Sequence, residues 1–349
     1  MKKVTVNASR VYDVIIEKGI LDRAGEESAK VVKPCAAAIL TDSNVAPLYA
    51  ERLERSLKAV GYKTFRFTIA AGEESKSAES YIAFLSFLAE NHLTRSDCIF
   101  ALGGGVVGDL AGFVAATYLR GIRFIQIPTT LLAMVDSSVG GKTAIDLPEG
   151  KNLVGAFYQP SLVLCDYETL DTLPNVVFSD GCAEVIKYGI INDKPLFEKL
   201  RSLIKPQIED IIENCVRNKR DIVNADELDT GVRQLLNLGH TPAHSIEKLS
   251  NYEISHGSAV ARGIAIISRA AAALGYCPES DAEEICDILS FHCLPTECDF
   301  DARELAEIAL SDKKRSGGKI NLIVPFGIGN SRIHEIDVTE LEAFFAKGL

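Results

Sequence analysis

The sequence predicts an α/β N-terminal domain, with a parallel sheet and a Rossmann-like nucleotide site, followed by a mostly α-helical C-terminal domain. The chain has 349 residues, more than the roughly 250–300 that one hydrophobic core usually supports. Up to residue 169, short apolar β-branched runs alternate with helical stretches. Beyond it, nearly every segment has helical periodicity. We therefore predict two domains, residues 1–169 and 170–349.

The order of the elements supports this division. Residues 1–19 alternate apolar and polar side chains, as a strand does. Further strands are predicted at residues 35–40, 63–69, 98–102, 124–127 and 162–165, with helices at 46–60, 77–91 and from a glycine run to about residue 118. Residues 140–166 are predicted to be extended strands and turns. The second domain is predicted to hold helices at 181–190, 205–224, 241–248, 259–274, 282–291 and 302–310, and one strand at 319–324. Strands alternating with helices indicate a parallel sheet covered by helices.

Composition narrows the classes of function. The net charge of −11 argues against a nucleic-acid or membrane partner, since those bind basic patches. The nine cysteines are scattered, odd in number and form no C-x-x-C pair, which is typical of reduced thiols in the cytoplasm. The N-terminus lacks the apolar segment of a signal peptide, and no run reaches the ~20 apolar residues of a membrane span. We expect a cytoplasmic protein that binds any anionic substrate through local Lys and Arg clusters.

A glycine run follows the strand predicted at residues 98–102. Gly103, Gly105 and Gly108 match G-x-G-x-x-G, in which glycines let a pyrophosphate approach the backbone at a helix N-terminus. The run follows a later strand than usual, and no acidic residue lies ~20 positions downstream to bind a ribose. Asp42, after the strand at 35–40, is a substitute. It is equally an ordinary cap, with Ser43, for the next helix.

In the helical half, the candidate metal ligands are three histidines and one glutamate: His240, His244, His256 and Glu184. Imidazole and carboxylate groups suit Zn²⁺, and three protein ligands leave a position open for substrate. Thr241 and Pro242 resemble an N-cap and a first helical residue, which would place His240 before the helix and His244 in its first turn. Either histidine could instead be structural or handle protons. The glutamate, Glu184, could simply pair with Lys187.

Several sequence motifs together resemble one family. They are GEESK at 72–76, GGGVVGDLAGF at 103–113, YLRG at 118–121, IPTTLLAMVDSSVGGKT at 127–143, KNLVGAFYQP at 151–160, AEVIKYG at 183–189, RQLLNLGHT at 233–241, HG at 256–257 and DKK at 312–314. In order and spacing, the chain resembles the 3-dehydroquinate synthase family of sugar-phosphate cyclases. The resemblance covers nearly the whole chain.

The resemblance implies a reaction, cofactors and an assembly. The substrate would be a phosphorylated sugar acid, 3-deoxy-arabino-heptulosonate 7-phosphate, converted to 3-dehydroquinate and phosphate. NAD would be reduced and regenerated within each turnover, and one divalent metal would bind, zinc first and cobalt second. The family's members are usually homodimers.

The resemblance also implies a set of site residues. The metal ligands would be Glu184, His240 and His256. The catalytic residues would be Asp136, Lys142, Asn152, Lys187, Arg233 and His244. The substrate would further be bound by Arg120 (at its own or the neighbouring subunit's site), Lys151, Lys219, Asn237, and Lys313 or Lys314. NAD would be bound by Asp42, Asn44, Glu73, Lys76, Gly103, Gly104, Gly105, Asp109, Thr129, Thr130, Lys142, Lys151 and Thr172.

The chain departs from the family pattern at four positions. Val176 and Val177 replace Arg-Glu, Ala243 replaces Gly, and Ser258 replaces Glu. These departures bear on the surroundings of the metal ligands and on turnover. The alternatives are a sister cyclase of the inosose or valiolone type, a metal-dependent alcohol dehydrogenase of related fold that releases NADH, and an inactive binding protein. Arg233, Asn237, His244 and residues 312–314 favour a substrate with a carboxylate.

Overall fold

The computed structural model describes residues 1–311 and 318–349 and divides the chain into two compact units. Unit 1 comprises residues 1–173 and 208–228, and unit 2 comprises residues 174–207 and 229–349. The chain therefore passes from one unit to the other three times. The predicted division into 1–169 and 170–349 did not include the return of residues 208–228 to unit 1.

Unit 1 contains nine strands and five helices among the described residues. The strands are β1 (Lys2–Asn7), β2 (Val11–Ile16), β3 (Ala36–Asp42), β4 (Lys63–Ile69), β5 (Cys98–Gly103), β6 (Arg123–Pro128), β7 (Lys142–Leu147), β8 (Gly150–Phe157) and β9 (Leu162–Cys165). The helices are α1 (Ala24–Ala29), α2 (Glu51–Ala59), α3 (Ala78–Glu90), α4 (Gly105–Thr117) and, from later in the chain, α7 (Ile208–Ala225). The N-terminal stretch, predicted as one strand, is a hairpin of β1 and β2.

Seven strands form one sheet in the order β1-β2-β9-β6-β5-β3-β4. All neighbours in it are parallel except β1 and β2. Alternate residues of β5 face different cores: Phe100 and Leu102 pack with α2, while Ile99 and Ala101 pack with α3 and α4. Burial on both faces explains the continuous apolar runs in the sequence. Strands β7 and β8 form a separate antiparallel pair.

Helix α7 belongs to unit 1 because it is amphipathic and its apolar side is buried there. Ile211, Ile212 and Cys215 are fully buried. At the helix surface, Lys2 of β1 forms ion pairs with Asp210 and Glu213. The helical periodicity predicted the helix but carried no information about which core it joins.

Unit 2 is mostly helical. Its helices are α5 (Asn175–Ile191), α6 (Lys194–Lys199), α8 (His240–Leu249), α9 (His256–Ala273), α10 (Glu279–Phe291), α11 (Ala302–Ser311) and α12 (Leu341–Ala346). The strands β10 (Lys319–Pro325) and β11 (Ser331–Asp337) form an antiparallel hairpin. Only β10 was predicted, so β11 corrects the sequence analysis. No helix among the described residues is long and apolar enough to cross a membrane.

Candidate active site

The parallel part of the sheet in unit 1 reverses its strand order at β3. This strand has β4 on one side and β5 on the other, so the loops that follow β3 and β5 leave the same sheet edge in opposite directions. Ligands of open α/β sheets bind in the crevice at such a point. Asp42 ends β3, and Gly103 ends β5. We use the name strand-end region for Asp42, Gly103–Gly105, Asp109 in the first part of α4, and Lys76, which pairs with Asp109.

Close packing explains some of the glycines in this region. A Cβ atom on Gly103 would lie 2.6 Å from Val107 Cγ2, and one on Gly108 would lie 2.8 Å from Gln126 Oε1. Gly103 is therefore required by close packing against Val107, whereas a side chain at Gly108 would have to displace the Gln126 amide. Gly104, the N-cap of α4, is less crowded, with its nearest neighbour Thr130 Cγ2 at 3.1 Å. The space at Gly104 and the helix N-terminus after it are the features suited to an anion.

Asp42 orders the loop after β3 and does not cap a helix as the sequence analysis allowed, because the helical turn Ala46–Ala50 has Val45 at its N-cap and no side-chain cap. Its Oδ1 accepts hydrogen bonds from the backbone N–H groups of Asn44 (2.8 Å) and Val45 (3.0 Å). The Ser43 hydroxyl accepts one from the Ala71 N–H (3.0 Å). Asp42 thus shapes the loop after β3, and its location at the strand order reversal also suits the predicted binding of a ribose.

A buried ion pair joins two predicted NAD-binding residues. Lys76 Nζ lies 2.7 Å from Asp109 Oδ2 and 3.6 Å from Glu73 Oε1, and it donates to Asn152 Oδ1. Burial alone would lower the pKa of Lys76, but Asp109 and Glu73 outweigh it and raise that pKa above 10.5. Lys76 is therefore a permanent cation. The structure brings Asp109 and Asn152 to the neighbouring residues Glu73 and Lys76, from which both lie far apart in sequence.

Helix α7 places another buried ammonium group, that of Lys219, among the predicted site residues of unit 1. Lys219 is buried, and its Nζ lies 2.9 Å from Asp136 Oδ1 and donates to the Asp136 carbonyl (2.6 Å). Asp136 lies in a short π-helical turn, Ala133–Ser137. The contact explains why residues 83 positions apart in sequence both belong to the predicted substrate site.

The other predicted residues of unit 1 occupy loops and strand ends. Thr129 and Thr130 follow β6, where the Thr129 N–H donates to the Gly103 carbonyl (3.0 Å). Thr172 shares a hydrogen bond with the Tyr49 hydroxyl (2.5 Å). Lys142 and Lys151 belong to β7 and β8. Arg120 is exposed and has left-handed backbone (φ 68°).

Three helices of unit 2 bring together Glu184, His240 and His256, which we call the metal cluster. Their ligand atoms all lie within 4.8 Å of one another. Glu184 Oε1 lies 3.3 Å from His256 Nε2 and 3.6 Å from His240 Nε2. One buried carboxylate and two imidazoles at these separations fit a zinc-type ion with an open position.

Glycines permit this convergence of helices. A Cβ atom on Gly257 would lie 2.2 Å from the Asp180 carbonyl oxygen of α5, and one on Gly263 would lie 2.0 Å from the Gly239 carbonyl oxygen. Helix α9 therefore packs directly against the backbone of α5 and of the residue preceding α8. The glycine after His256 is part of the metal cluster's architecture, because it sets the distance between His256 and Glu184.

Helix α8 begins at His240, one residue earlier than predicted. Gly239 is its N-cap, with left-handed backbone (φ 76°), and Thr241 and Pro242 lie inside its first turn. The prediction that His240 precedes the helix was therefore wrong. His240 and His244 are one turn apart on the same helix, and their ring centroids are 5.7 Å apart.

The two cluster histidines have opposite electrostatic settings. Burial, with the neighbouring Lys187 ammonium, lowers the pKa of His240 to about 3, so its ring is neutral at pH 7. Burial alone would lower the pKa of His256, but contacts with Glu184 and Glu247 raise it to about 10. A metal ion would therefore bind His256 in exchange for a proton. Lys187 also pairs with Glu184, and both side chains are buried.

A pocket of ≈ 520 Å³ adjoins His240 in unit 2. It contains two predicted substrate residues, Asn237 and His244. Its other lining residues, which the sequence analysis missed, come mainly from the β10–β11 hairpin and α11: Gln234, Thr241, Ser245, Ile308, Ala309, Lys319, Ile320, Asn321, Ile323 and Glu335. Arg233, which precedes the lining residue Gln234 in the sequence, is buried. Lys313 and Lys314 lie outside the described residues.

Family models decide the membership of the chain. The model of the 3-dehydroquinate synthase N-terminal domain matches residues 66–180, and that of the C-terminal domain matches residues 181–315. The chain belongs to the 3-dehydroquinate synthase family. This confirms the predicted family and the predicted fold class.

Individual relatives agree with the family models. A 3-dehydroquinate synthase from Enterococcus faecalis is 44% identical over 351 residues, covering 99% of this chain and 98% of that protein. One from Clostridium acetobutylicum is 44% identical over 336 residues, 94% of each chain. Among solved structures, 2-epi-5-epi-valiolone synthase from Streptomyces hygroscopicus, with NAD⁺ and Zn²⁺ bound, is 26% identical with a TM-score of 0.86 over 98% of each chain. An iron-containing alcohol dehydrogenase shares the fold less closely, with a TM-score of 0.67.

The structure shows the exposure and the hydrogen bonds of three residues that depart from the family pattern. Val176 is 70% exposed at the start of α5, whereas Ala243 is fully buried in α8. The Ser258 hydroxyl accepts a hydrogen bond from Arg262 (2.6 Å), and its N–H donates to Asp180 Oδ1 (3.1 Å). Each cluster ligand remains in place beside these substitutions.

Proposed function

We propose that the protein converts 3-deoxy-arabino-heptulosonate 7-phosphate to 3-dehydroquinate and phosphate, as a carbon–oxygen lyase. The observation that carries this proposal is the metal cluster beside a pocket that also holds Asn237 and His244. The 44% identity to 3-dehydroquinate synthases over nearly the whole chain supports the same substrate.

The cofactors follow from the two groups of residues. Glu184, His240 and His256 would hold one divalent ion, zinc or cobalt. The strand-end region, with Asn44, Glu73, Thr129, Thr130, Lys142, Lys151 and Thr172, would hold NAD. When bound, NAD supplies a hydride acceptor that is regenerated, and the metal supplies Lewis acidity towards substrate hydroxyls.

The chain's own residues supply charge and proton handling. The substrate carries a carboxylate and a phosphate, which Arg and Lys bind through charge-assisted hydrogen bonds. The proposed cations are Arg120, Lys142, Lys151, Lys187, Lys219, Arg233 and one of Lys313 or Lys314. Asp136 orients the Lys219 ammonium, Asn152 and Asn237 offer amide hydrogen bonds, and the ring of His244 exchanges a proton with the substrate.

Transient oxidation explains the order of the chemistry. A ketone on the substrate acidifies the adjacent C–H, so phosphate leaves by elimination. Reduction of the ketone, ring opening and an intramolecular aldol closure then complete the carbocycle.

A single assay tests this function. The protein is incubated with the heptulosonate phosphate, NAD⁺ and Zn²⁺, while phosphate, 3-dehydroquinate and NADH absorbance are followed. We expect equal amounts of phosphate and 3-dehydroquinate without net NADH. Accumulation of NADH would instead show a dehydrogenase, and turnover of a hexose phosphate alone would show a sister cyclase.

We also propose that the enzyme is a cytoplasmic homodimer. Nine free cysteines suit a reducing compartment, and the exposed Arg120 is available to a neighbouring subunit's phosphate site. Light scattering after size exclusion measures the mass. A species of one chain at micromolar concentration would contradict the dimer.

A further inference from the structure

Each histidine of the metal cluster has both ring nitrogens in contact with a specific acceptor. The Nε2 atoms of His240 and His256 both approach Glu184 Oε1. The Nδ1 atom of His240 lies 3.0 Å from the Leu238 carbonyl oxygen. The Nδ1 atom of His256 lies 3.5 Å from Glu247 Oε1.

The acceptor at Nδ1 determines where the ring carries its proton. A carbonyl oxygen only accepts hydrogen bonds, so His240 has its hydrogen on Nδ1 and its lone pair on Nε2. When metal binding removes the Nε2 proton of His256, an ionised Glu247 carboxylate keeps the remaining hydrogen on Nδ1 in the same way. Both lone pairs then point towards the centre of the metal cluster, next to Glu184.

Glu247 is placed for this task by its position on α8. It follows His240 by seven residues, two helical turns, so it lies on the same side of the helix. It is only 3% exposed, and a buried carboxylate is costly unless it is paired. Its contact with His256 Nδ1 links it to the metal cluster.

We propose that Glu247 is a positioning residue that holds His256 in the Nδ1–H tautomer and thereby raises the affinity of the metal cluster for a divalent ion. The inference rests on the metal binding assumed in the proposed function. Zinc affinity tests this inference, whereas formation of 3-dehydroquinate tests the proposed function. Outer carboxylates of this kind orient an imidazole and increase its basicity as a ligand, and their loss typically costs about 10–100-fold in metal affinity.

Two substitutions of Glu247 should weaken zinc binding to different extents. Glu247→Gln keeps an oxygen that can accept from Nδ1–H but removes the charge, so we expect zinc to bind about 10-fold more weakly. Glu247→Ala removes both, and we expect a loss near 100-fold. Glu342→Gln is the matched control, since Glu342 is an exposed carboxylate of α12 and should leave zinc affinity unchanged.

The experiment uses the full chain stripped of metal. Zn²⁺ is titrated against a chromophoric chelator at one pH, and ¹⁵N NMR of labelled histidine reports the tautomer of His256 in the zinc-loaded protein. Melting of the metal-free variants measures folding separately. We expect graded losses of zinc affinity, an Nδ1–H tautomer in the wild type and a mixed or shifted signal in Glu247→Ala.

Several outcomes would overturn the proposal. These are a zinc Kd within twofold of wild type in both variants, a wild-type His256 with its hydrogen on Nε2, or no zinc binding by the wild type. If Glu247→Ala does not fold, Glu247→Gln and the wild-type tautomer still decide. A wild type that binds zinc with the expected tautomer but makes no 3-dehydroquinate would refute the proposed function and leave this inference intact.

Discussion

The strand-end region and the metal cluster are built in different ways. The strand-end region depends on backbone: a reversal of strand order, glycines that leave space, and the free N–H groups at the start of α4. The metal cluster depends on side chains from α5, α8 and α9, which close packing at Gly257 and Gly263 brings within reach of one another. The first rests mainly on the backbone of strand ends and loops, and the second on the packing of three helices.

This difference implies separate vulnerabilities. A substitution in the metal cluster should remove metal binding with little effect on NAD, because each cluster ligand belongs to unit 2. A substitution in the strand-end region should affect NAD and the stability of unit 1 without changing metal affinity. Measuring both affinities on each variant tests whether the two regions are independent.

The largest effect is expected from His256→Ala. Loss of a direct ligand should weaken zinc binding by more than the roughly 100-fold that outer partners cost, and 3-dehydroquinate formation should fall to background. NAD affinity should be unchanged by calorimetry. His334→Ala is the matched control, since His334 lies on β11 outside the cluster. Wild-type zinc content in His256→Ala would refute the ligand assignment.

Lys76→Met should give the next largest effect. It leaves Asp109 without its 2.7 Å partner. A fully buried pair broken in this way costs about 3–5 kcal/mol, but the Asp109 side chain is 19% exposed, so we expect about 2–3 kcal/mol. Urea unfolding measures it, and the Lys76→Met/Asp109→Asn double variant should regain part of the loss. Equal stability of single variant and wild type would contradict a buried charged pair.

Gly104→Ala should have a moderate, specific effect. The added Cβ would lie 3.1 Å from Thr130 Cγ2, so the loop must shift slightly, and the methyl group narrows the approach to the start of α4. Overpacking of this kind costs about 1–2 kcal/mol, or roughly 10-fold in NAD affinity. Zinc affinity should stay at the wild-type value. A change in zinc rather than NAD binding would show that the two regions are coupled.

Asp22→Asn gives the smallest effect and calibrates the others. Arg52 donates to Asp22 through two bonds of 3.0 and 2.9 Å, and this contact lowers the pKa of Asp22 below 3.8. The pair is exposed, so screening limits it to about 0.5 kcal/mol at pH 7. The contribution is present above pH 3.8 and is lost as pH falls through the lower folded-state pKa. Denaturation at pH 7 and pH 3 measures it. A constant difference between the two pH values would contradict the linkage.

Much of unit 1 could be predicted because its signals are local. The strands at 63–69 and 162–165 have the predicted bounds. The buried strand β9 is an uninterrupted apolar run, and the edge strand β4 alternates Phe65, Phe67 and Ile69 with polar residues. Strand β11 was missed because its outward side chains are charged and its extended state depends on pairing with β10. The Thr241-Pro242 signal was misleading because Gly239 caps α8 instead.

The candidate site was predicted unevenly for the same reason. Motif resemblance identified Glu184, His240 and His256, whereas periodicity alone could not show that three helices bring them together. Glu247 and the β10–β11 lining of the pocket carried no motif in the sequence analysis. Their proximity to the histidines is a property of packing, which a pattern along one chain does not contain.

The excursion of α7 into unit 1 has a consequence for synthesis on the ribosome. Unit 1 requires residues 208–228, so the sheet made from the first 173 residues must wait for about 55 further residues, at roughly 5–20 residues per second, before its last helix arrives. During that interval the side of β1 that α7 covers is uncovered, and the Asp136 carboxylate lacks Lys219. Co-translational folding of the first half is therefore incomplete until part of the second half has emerged.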